Sequence, residues 1–244
     1  ITIPHKDVNS YILDKIRPTV NGKEIQPHEH QIDAITHAIN KERCLLLSPT
    51  GSGKSLIIYS LVRYYESILP KDKKILIIVP TTGLVSQMYN DFKDYSSKNK
   101  WNVDNKCHVI YAGQDKVTEK KVVISTWQSL YKMSEKYFSQ YGAIFGDECH
   151  LFKSKSLTTL MTKLKDCKYR IGTTGTLDGT HTHKLVVEGL FGGVHNVTTT
   201  TKLMEKDLLS KLEIDCINLQ YPMKDIESIK RATYQDEIKW IITH

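Results

Sequence analysis

The residues whose types and spacing most clearly indicate a chemical function lie in one short stretch, Ser48 to Ser55. It reads Ser-Pro-Thr-Gly-Ser-Gly-Lys-Ser. It follows the apolar run Cys44 to Leu47 and opens a segment of helical period. Binding a phosphate requires several backbone N–H groups that converge on one point, and two glycines permit the close approach and unusual φ angles of such a nest. The following helix adds the partial positive charge of its N-terminus. The stretch therefore predicts a P-loop.

Side chains of this loop have separate predicted tasks. Lys54 would reach the β and γ phosphates of a nucleoside triphosphate, and the Ser55 hydroxyl would bind Mg²⁺. The predicted contacts to the nucleotide are Thr50, Gly51, Ser52, Gly53, Lys54 and Ser55.

Two adjacent carboxylates, Asp147 and Glu148, follow the short apolar run Ala143 to Phe145. Asp147 can hold Mg²⁺ directly or through water, while Glu148 can orient and deprotonate the water that attacks the γ-phosphate. An Asp-Glu pair alone would also suit a solvated turn. Its position downstream of a P-loop, with strands and helices between, favours the catalytic role.

Two polar stretches, which begin at Thr81 and Thr126, lie between the end of a predicted strand and a predicted helix. The start of a helix can hold a phosphate of a nucleic-acid backbone without reading its sequence. The same residues would also serve as ordinary helix caps. Trp127, in the second stretch, would either stack on a base or pack against the protein. The candidate nucleic-acid contacts are Thr81, Thr82, Gln87, Thr126, Trp127 and Gln128.

Apolar runs rich in Ile and Val alternate with stretches of helical period, which is typical of βα units around a parallel sheet. The predicted strands are Arg43 to Leu47, Lys74 to Val79, Cys107 to Tyr111, Lys121 to Ser125, Gly142 to Phe145, Tyr169 to Thr173 and Val194 to Thr198. The predicted helices are Glu29 to Asn40, Lys54 to Leu69, Leu84 to Tyr95, Trp127 to Met133, Lys155 to Lys163 and His183 to Leu190. We expect an α/β fold, a mostly parallel sheet with helices on both faces, and sites clustered at the carboxyl ends of the strands.

Three segments are predicted along the chain. Residues 1–26 are polar and weakly patterned, which favours a leader or linker, and residues 27–201 carry the βα pattern and the motifs. Residues 202–244 change to a short helix, an alternating strand from Leu212 to Tyr221 and a final helix. This pattern predicts the connection to a further domain and the truncated start of that domain. The chain begins without methionine and ends within a periodic stretch, so a fragment of a longer protein is expected.

Composition excludes several classes of protein. The 244 residues include 34 Lys and Arg and 27 Asp and Glu, which gives a formal net charge of +7. This moderate positive charge permits contact with a phosphate backbone. The longest apolar runs fall well short of the ~18 residues that a membrane span needs, so no membrane partner is expected. The sequence does not open with a charged and then apolar secretion signal that ends in a small-residue cleavage site. The five cysteines form no CxxC pair, and both observations favour a reducing, cytoplasmic compartment.

The acid stretch Asp147-Glu148-Cys149-His150, taken with the P-loop, resembles the motifs of superfamily 2 helicases of the DExH branch. Further matching stretches begin at Pro27-His28-Glu29-His30-Gln31 and extend over most of the chain. The resemblance implies a RecA-like P-loop NTPase domain, the first of two motor domains, with ATP and Mg²⁺ as ligands.

Several residue roles follow from this resemblance. Gln31 matches the glutamine that reads the adenine edge, and His150 matches the position that relays the nucleotide state. The coupling motif that links ATP to the nucleic-acid track is filled by the stretch Thr173-Thr174-Gly175-Thr176, whose hydroxyls would hydrogen-bond the acid pair and His150, with Thr174, Gly175 and Thr176 as the coupling residues. The catalytic set implied by the family is Lys54, Asp147, Glu148 and His150. The two helix-start stretches match motifs with which these helicases hold the backbone of one strand.

The resemblance also implies partners and a biological role. We expect a DNA helicase or translocase in recombination, repair or replication-fork processing, on branched or partly single-stranded DNA, with an RNA–DNA hybrid as a further candidate. A second RecA-like domain of the same protein would supply the arginine fingers. The sequence leaves the polarity, the preferred structure of the nucleic acid and the oligomeric state open.

Three alternative functions are compatible with parts of the sequence. The motor part of a restriction enzyme shares these motifs. A P-loop kinase for a small metabolite would explain the P-loop, but it gives no role to Gln31 or to Thr174 and Thr176. An inactive nucleic-acid-binding module that keeps the fold would not need Lys54 and Glu148.

Overall fold

The computed structural model describes residues 2–111, 113–151, 155–176, 181–210, 215, 216, 220, 222–230 and 232–243. Two compact units are present, Ile1–Leu209 and Ser210–His244. Within the described ranges, every helix is too short or too polar to cross a membrane.

The first unit alternates strands and helices along the chain. Its strands are β1 (Thr19–Val20), β2 (Lys23–Glu24), β3 (Arg43–Leu47), β4 (Lys74–Val79), β5 (Cys107–Ile110), β6 (Val122–Thr126), β7 (Tyr141–Gly146), β8 (Tyr169–Thr174) and β9 (Val194–Asn196). Its helices are α1 (His5–Tyr11), α2 (Glu29–Lys41), α3 (Lys54–Ile68), α4 (Thr82–Tyr95), α5 (Val103–Lys106), α6 (Trp127–Leu130), α7 (Glu135–Phe138), α8 (Lys155–Lys163), α9 (His181–Phe191) and α10 (Thr200–Glu205). A π-helix, Ile12–Ile16, follows α1, and a 3₁₀ turn, Cys149–Leu151, follows β7.

Seven strands form one sheet in the order β5-β6-β4-β7-β8-β3-β9, and each neighbouring pair is parallel. All seven predicted strands are present, with ends that differ by at most two residues from the prediction. The predicted α/β fold with a parallel sheet is confirmed. Because every strand runs in the same direction, the loops that follow them meet at one edge of the sheet.

Both faces of the sheet are covered by helices. In β4, Ile75 and Ile77 pack into one apolar cluster with α2, α3 and α4, while Leu76 and Ile78 pack into a second cluster with residues of α8 and α9. Strands buried on both faces read as continuous apolar runs, and this explains the run Ile75 to Val79.

The segment before Pro27 differs from the predicted leader or linker. It contains α1, the π-helix and the β1–β2 hairpin, and Val8, Ile12 and Ile16 are buried in the core cluster beside α2 and α3. Apolar side chains spaced by four residues along a helix share one face, so three residues suffice to attach a segment that is polar elsewhere. The compact unit therefore starts well before Pro27.

The second unit contains α11 (Met223–Ile229) and α12 (Tyr234–Thr243) where the sequence predicts one final helix. The Asp236 N–H donates to the Thr233 hydroxyl (3.3 Å), which caps the start of α12. The predicted strand from Leu212 to Tyr221 lies largely outside the described residues.

Candidate nucleotide site

The loop between β3 and α3 is closed by its own hydrogen bonds. The Ser48 and Ser52 hydroxyls lie 2.6 Å apart, and the Ser52 hydroxyl donates to the Pro49 carbonyl (2.6 Å). Gly51 and Gly53 have φ angles of 82° and 79°, in the left-handed region that favours glycine. The backbone of this loop thus adopts the turn that the P-loop prediction requires.

Gly53 has a second reason to be glycine. A Cβ at this position would lie 2.1 Å from Gln31 Nε2, which is far inside contact distance. Gln31 is 4% exposed, donates from Nε2 to the Ser52 carbonyl (3.0 Å) and accepts from the His28 N–H at Oε1 (2.8 Å). His30 likewise has Nε2 3.0 Å from the Ser52 carbonyl. The structure therefore places Gln31 as a support for the P-loop, and its predicted contact with adenine stays a prediction.

Lys54 connects the P-loop to the acid pair. Its Nζ lies 3.2 Å from Glu148 Oε1 and 3.4 Å from the Ser48 carbonyl, and its side chain is 14% exposed. Gly175 lies beside them, because a Cβ on it would be 3.7 Å from Lys54 Nζ. An ammonium and a carboxylate that face the same space can hold a phosphate and a water molecule next to each other.

Asp147 is fixed by both neighbouring strands. Its N–H donates to the Ile78 carbonyl of β4 (2.9 Å), and its Oδ1 accepts from the Thr173 hydroxyl of β8 (2.7 Å) and the Glu148 N–H (3.0 Å). Burial raises the pKa of the Asp147 carboxyl, while the hydrogen bond from Thr173 lowers it. Glu148 has φ of 51°, and this left-handed turn directs its side chain toward Lys54.

His150 joins the acid pair to the strand end of β8. Its Nδ1 lies 3.4 Å from Glu148 Oε2 and 3.1 Å from the Thr174 hydroxyl. That hydroxyl in turn donates to the Thr176 carbonyl (2.7 Å). The predicted catalytic and coupling residues thus form one continuous set of contacts.

The P-loop and the acid pair share one cavity of about 420 Å³. Helix α4 forms its remaining wall, with side chains at spacings of three and four residues. Its lining residues are Thr50, Gly51, Gly53, Lys54, Ser55, Leu84, Gln87, Met88, Asp91, Asp147 and Glu148. Gln87, predicted as a nucleic-acid contact, therefore lies in the nucleotide cavity.

Two residues of α4 that the sequence did not single out contact Ser55. The Ser55 hydroxyl lies 2.7 Å from Tyr95 Oη. Burial raises the pKa of the Asp91 carboxyl, and a hydrogen bond from Ser55 opposes that rise. The periodicity of Leu84, Met88, Asp91 and Tyr95 on one helix face was the available signal.

The cavity has donors suited to Mg²⁺ and a nucleotide. Ser55, Asp91 and Asp147 supply the hard oxygen atoms that Mg²⁺ prefers. Among the described residues, no group of three His, Cys, Asp or Glu side chains is arranged to hold a metal unaided. Mg²⁺ is commonly bound through one or two carboxylates together with substrate phosphates and water, and Asp91 and Asp147 are two of the carboxylates at this cavity.

The two helix starts have a different character. The Thr81 hydroxyl accepts from the Leu84 N–H (3.3 Å) and caps α4, while Thr82 is exposed. Thr126 is 4% exposed, with its hydroxyl 3.0 Å from that of Ser129. Trp127 and Gln128 line a separate open cavity.

Comparison with known proteins agrees with this geometry. Residues 24–179 match the family described as type III restriction enzyme, res subunit. The chain is 37% identical over 243 residues to the ATP-dependent DNA helicase UvsW of Enterobacteria phage T4, covering 98% of this chain and 47% of that protein. It is 24% identical over 178 residues to the DNA 3'-5' translocase XPB2 of Sulfurisphaera tokodaii, covering 72% and 37% respectively. The chain thus spans about half the length of the first relative and less of the second.

Solved structures support the same relationship. The crystal structure of the UvsW helicase from bacteriophage T4 matches with a TM-score of 0.72 at 34% identity, covering 80% of this chain and 68% of that one. The predicted RecA-like helicase fold is therefore confirmed.

Proposed function

Because this chain belongs to the superfamily 2 DExH helicases, through the family of the type III restriction enzyme res subunit, we propose that it is the first motor domain of an ATP-dependent DNA helicase or translocase. The observation that carries the proposal is the set of contacts from Lys54 through Glu148 and His150 to Thr174. It joins the P-loop to the strand end that would report the nucleotide state.

Several side chains of the site have a task in phosphoryl transfer to water. Lys54 neutralises negative charge that develops on the γ-phosphate, and the backbone N–H groups around Gly53 hold the phosphates. Glu148 orients the attacking water and accepts its proton. Mg²⁺, when bound by Ser55 and Asp147, supplies further charge stabilisation at the phosphate oxygens. Thr173 holds Asp147 in place through the 2.7 Å hydrogen bond.

The proposed organisation assigns residues 27–201 to the ATP-binding domain, and residues 202–244 to the connection to a second RecA-like domain and to the truncated start of that domain. The N-terminal segment belongs to the first unit because its apolar side chains are buried there. A partner domain is supported by the coverage of about half of the phage relative. In this arrangement the second domain brings the arginine fingers that complete hydrolysis.

The proposed substrate is branched or partly single-stranded DNA, processed during recombination, repair or fork remodelling. The name of the phage relative, an ATP-dependent DNA helicase, supports DNA as the substrate. A cytoplasmic location, in the host if the protein is of phage origin, belongs to the same proposal. It is supported by the described cysteines, which are all free thiols.

Binding of a fluorescent ATP analogue with Mg²⁺ tests the proposal in the purified chain. We expect Lys54→Ala to weaken binding strongly and Glu148→Gln to leave it close to wild type, because only Lys54 contacts the phosphates in the ground state. Lys71→Ala, an exposed lysine at the amino ends of the strands, is the matched control. DNA-stimulated ATPase of this chain alone should be absent, since loss of an arginine finger costs ~10³–10⁵ in rate. Robust turnover, or normal binding by Lys54→Ala, would refute the assignment.

The motor of a restriction enzyme is the second candidate, and the description of the matching family favours it. It uses the same ATP chemistry, so the ATPase assay does not separate the two. A nuclease domain in the same protein or operon, together with ATP-dependent cleavage of DNA, would decide for it.

A further inference from the structure

The hydroxyl of Ser55, the predicted Mg²⁺ ligand of the P-loop, is contacted by two side chains of α4. Tyr95 Oη lies 2.7 Å from Ser55 Oγ, and the Asp91 carboxylate accepts a hydrogen bond from the same hydroxyl. Ser55 and Asp91 line the nucleotide cavity, and Tyr95 is half-buried. Two residues of a different helix thus converge on one oxygen atom.

The chemistry of the two partners determines the direction of each hydrogen bond at this oxygen. A carboxylate only accepts hydrogen bonds, so the Ser55 O–H points to Asp91. Because that proton is already in use, the phenol O–H of Tyr95 is the donor across the 2.7 Å contact. A hydroxyl oxygen has two lone pairs. Tyr95 takes one of them, and the other remains for a ligand in the cavity that Ser55 lines.

This arrangement suits a hydroxyl that binds a cation. A serine oxygen binds a cation through a lone pair, so its proton needs an acceptor elsewhere. At Ser55 the Asp91 carboxylate takes up the proton, and the hydrogen bond from Tyr95 fixes the rotation of the hydroxyl. Partners of this kind orient a metal ligand before the metal binds.

Tyr95 is itself held by packing and hydrogen bonds. Its ring lies against the fully buried ring of Tyr59 in α3, with centroids 5.3 Å apart. The Tyr59 hydroxyl accepts from Arg63 Nη1 (2.8 Å) and from Asn99 Nδ2 (2.9 Å). Asn99 Nδ2 also donates to the Tyr95 carbonyl (3.2 Å). Both the backbone and the ring of Tyr95 are therefore fixed.

The N-terminal segment supports the same end of α4. The Thr19 hydroxyl of β1 is buried and donates to the Asp94 carbonyl, and the Asn21 N–H donates to Asp94 Oδ1 (2.8 Å). Asn99 Nδ2 donates to the Ile16 carbonyl of the π-helix (2.7 Å). The segment that the sequence predicts as a leader or linker thus holds the last turn of α4 in place.

From these contacts we infer that Tyr95 is a positioning residue for the cation of the nucleotide site. Its hydroxyl, together with the Asp91 carboxylate, orients the Ser55 hydroxyl so that one lone pair of the oxygen is directed to Mg²⁺. Tyr95 acts through Ser55, because its hydroxyl meets the hydroxyl of that serine. This inference rests on the proposed function and adds to it a residue that sets its Mg²⁺ dependence.

Binding of the fluorescent ATP analogue to the purified chain, with and without Mg²⁺, tests the inference. Tyr95→Phe removes the hydroxyl and keeps the ring that packs on Tyr59. The factor by which Mg²⁺ increases affinity should fall roughly tenfold, as is typical when the partner of a metal ligand is lost. Affinity without Mg²⁺ should equal that of wild type. Tyr89→Phe is the matched control, because the Tyr89 hydroxyl, on the same helix, donates to Asp104.

A double-mutant cycle with Ser55→Ala separates positioning from a general structural role. We expect Ser55→Ala to keep the part of the Mg²⁺ dependence that Asp147 supplies, so a further loss is measurable. If Tyr95 acts through Ser55, Tyr95→Phe should cause no further loss in the Ser55→Ala background. An additive loss in the double variant would overturn the inference.

The outcomes separate this inference from the proposed function. A wild-type Mg²⁺ response in Tyr95→Phe would overturn the inference and leave the nucleotide site intact. Reduced affinity of Tyr95→Phe without Mg²⁺ would show that the hydroxyl supports the P-loop as a whole, and would also overturn it. Failure of the wild-type chain to bind the analogue would count against the inference and the proposed function together.

Discussion

The nucleotide cavity and the two helix starts lie at the same edge of one sheet, yet their polar groups are held in different ways. In the nucleotide cavity the partners are distant in sequence, such as Lys54 with Glu148 and Asp147 with Thr173. At the helix starts they are three residues apart, as in the cap of Thr81 and the contact of Thr126 with Ser129.

This difference indicates what each region depends on. The cavity needs four strands in register and a loop backbone that only glycine permits, so its geometry is a property of the whole sheet. At each helix start, both hydrogen-bonding partners lie within one helical turn of each other in the sequence. Substitutions in the cavity should therefore change nucleotide binding strongly, whereas equivalent substitutions at the helix starts should change local stability and leave nucleotide binding unchanged.

The largest contrast is expected between two glycine substitutions. Gly53→Ala forces a side chain into φ of 79° and into contact with Gln31 Nε2, so nucleotide affinity should fall by at least about tenfold. Gly83→Ala places a Cβ in a helix with only the Thr81 hydroxyl at 3.9 Å, and should stabilise by about 0.5–1 kcal/mol. Nucleotide titration and thermal unfolding measure both. Equal effects of the two substitutions would refute the contrast.

The same distinction explains how much of the site could be predicted from the sequence. The P-loop and the acid pair are local patterns whose strand and helix partners are adjacent in the chain, so residue type and order specify them. The parallel sheet then brings Thr173 and Thr174 to the acid pair, because strand ends meet at one edge. The family resemblance predicts this contact, and the common direction of the strands explains how it forms.

The features that were missed depend on packing between distant elements. Gln87 and Asp91 line the nucleotide cavity because α4 rests against α3, and no spacing rule within the loop indicates which helix forms that wall. The sequence predicts a leader or linker for the N-terminal segment because three buried side chains are a weak periodic signal. The contact of Gln31 with adenine is a prediction from the motif, whereas its hydrogen bond to the Ser52 carbonyl depends on where α2 packs.

A smaller contrast is expected between two buried threonines. Thr173→Val removes the hydroxyl that donates to Asp147 and keeps the side-chain shape. The factor by which Mg²⁺ increases nucleotide affinity should therefore fall roughly tenfold. Thr126→Val removes only the contact with Ser129 and should leave that Mg²⁺ dependence unchanged. Titration of the ATP analogue with and without Mg²⁺ makes the comparison. A normal Mg²⁺ response in Thr173→Val would show that Asp147 needs no support from β8.

The smallest effect concerns the start of α4. Thr81→Ala removes a helix cap, which costs about 1 kcal/mol and should lower the melting temperature by roughly 2–4 °C in a unit of this size. Thr82→Ala, one residue later, is the control, because the Thr82 side chain caps nothing and alanine favours helix. Nucleotide affinity should be unchanged in both. A loss of DNA affinity in Thr81→Ala at a temperature where the protein is fully folded would show that the hydroxyl also holds a phosphate. The helix start would then belong with the nucleotide cavity, as a region whose side chains act on a ligand.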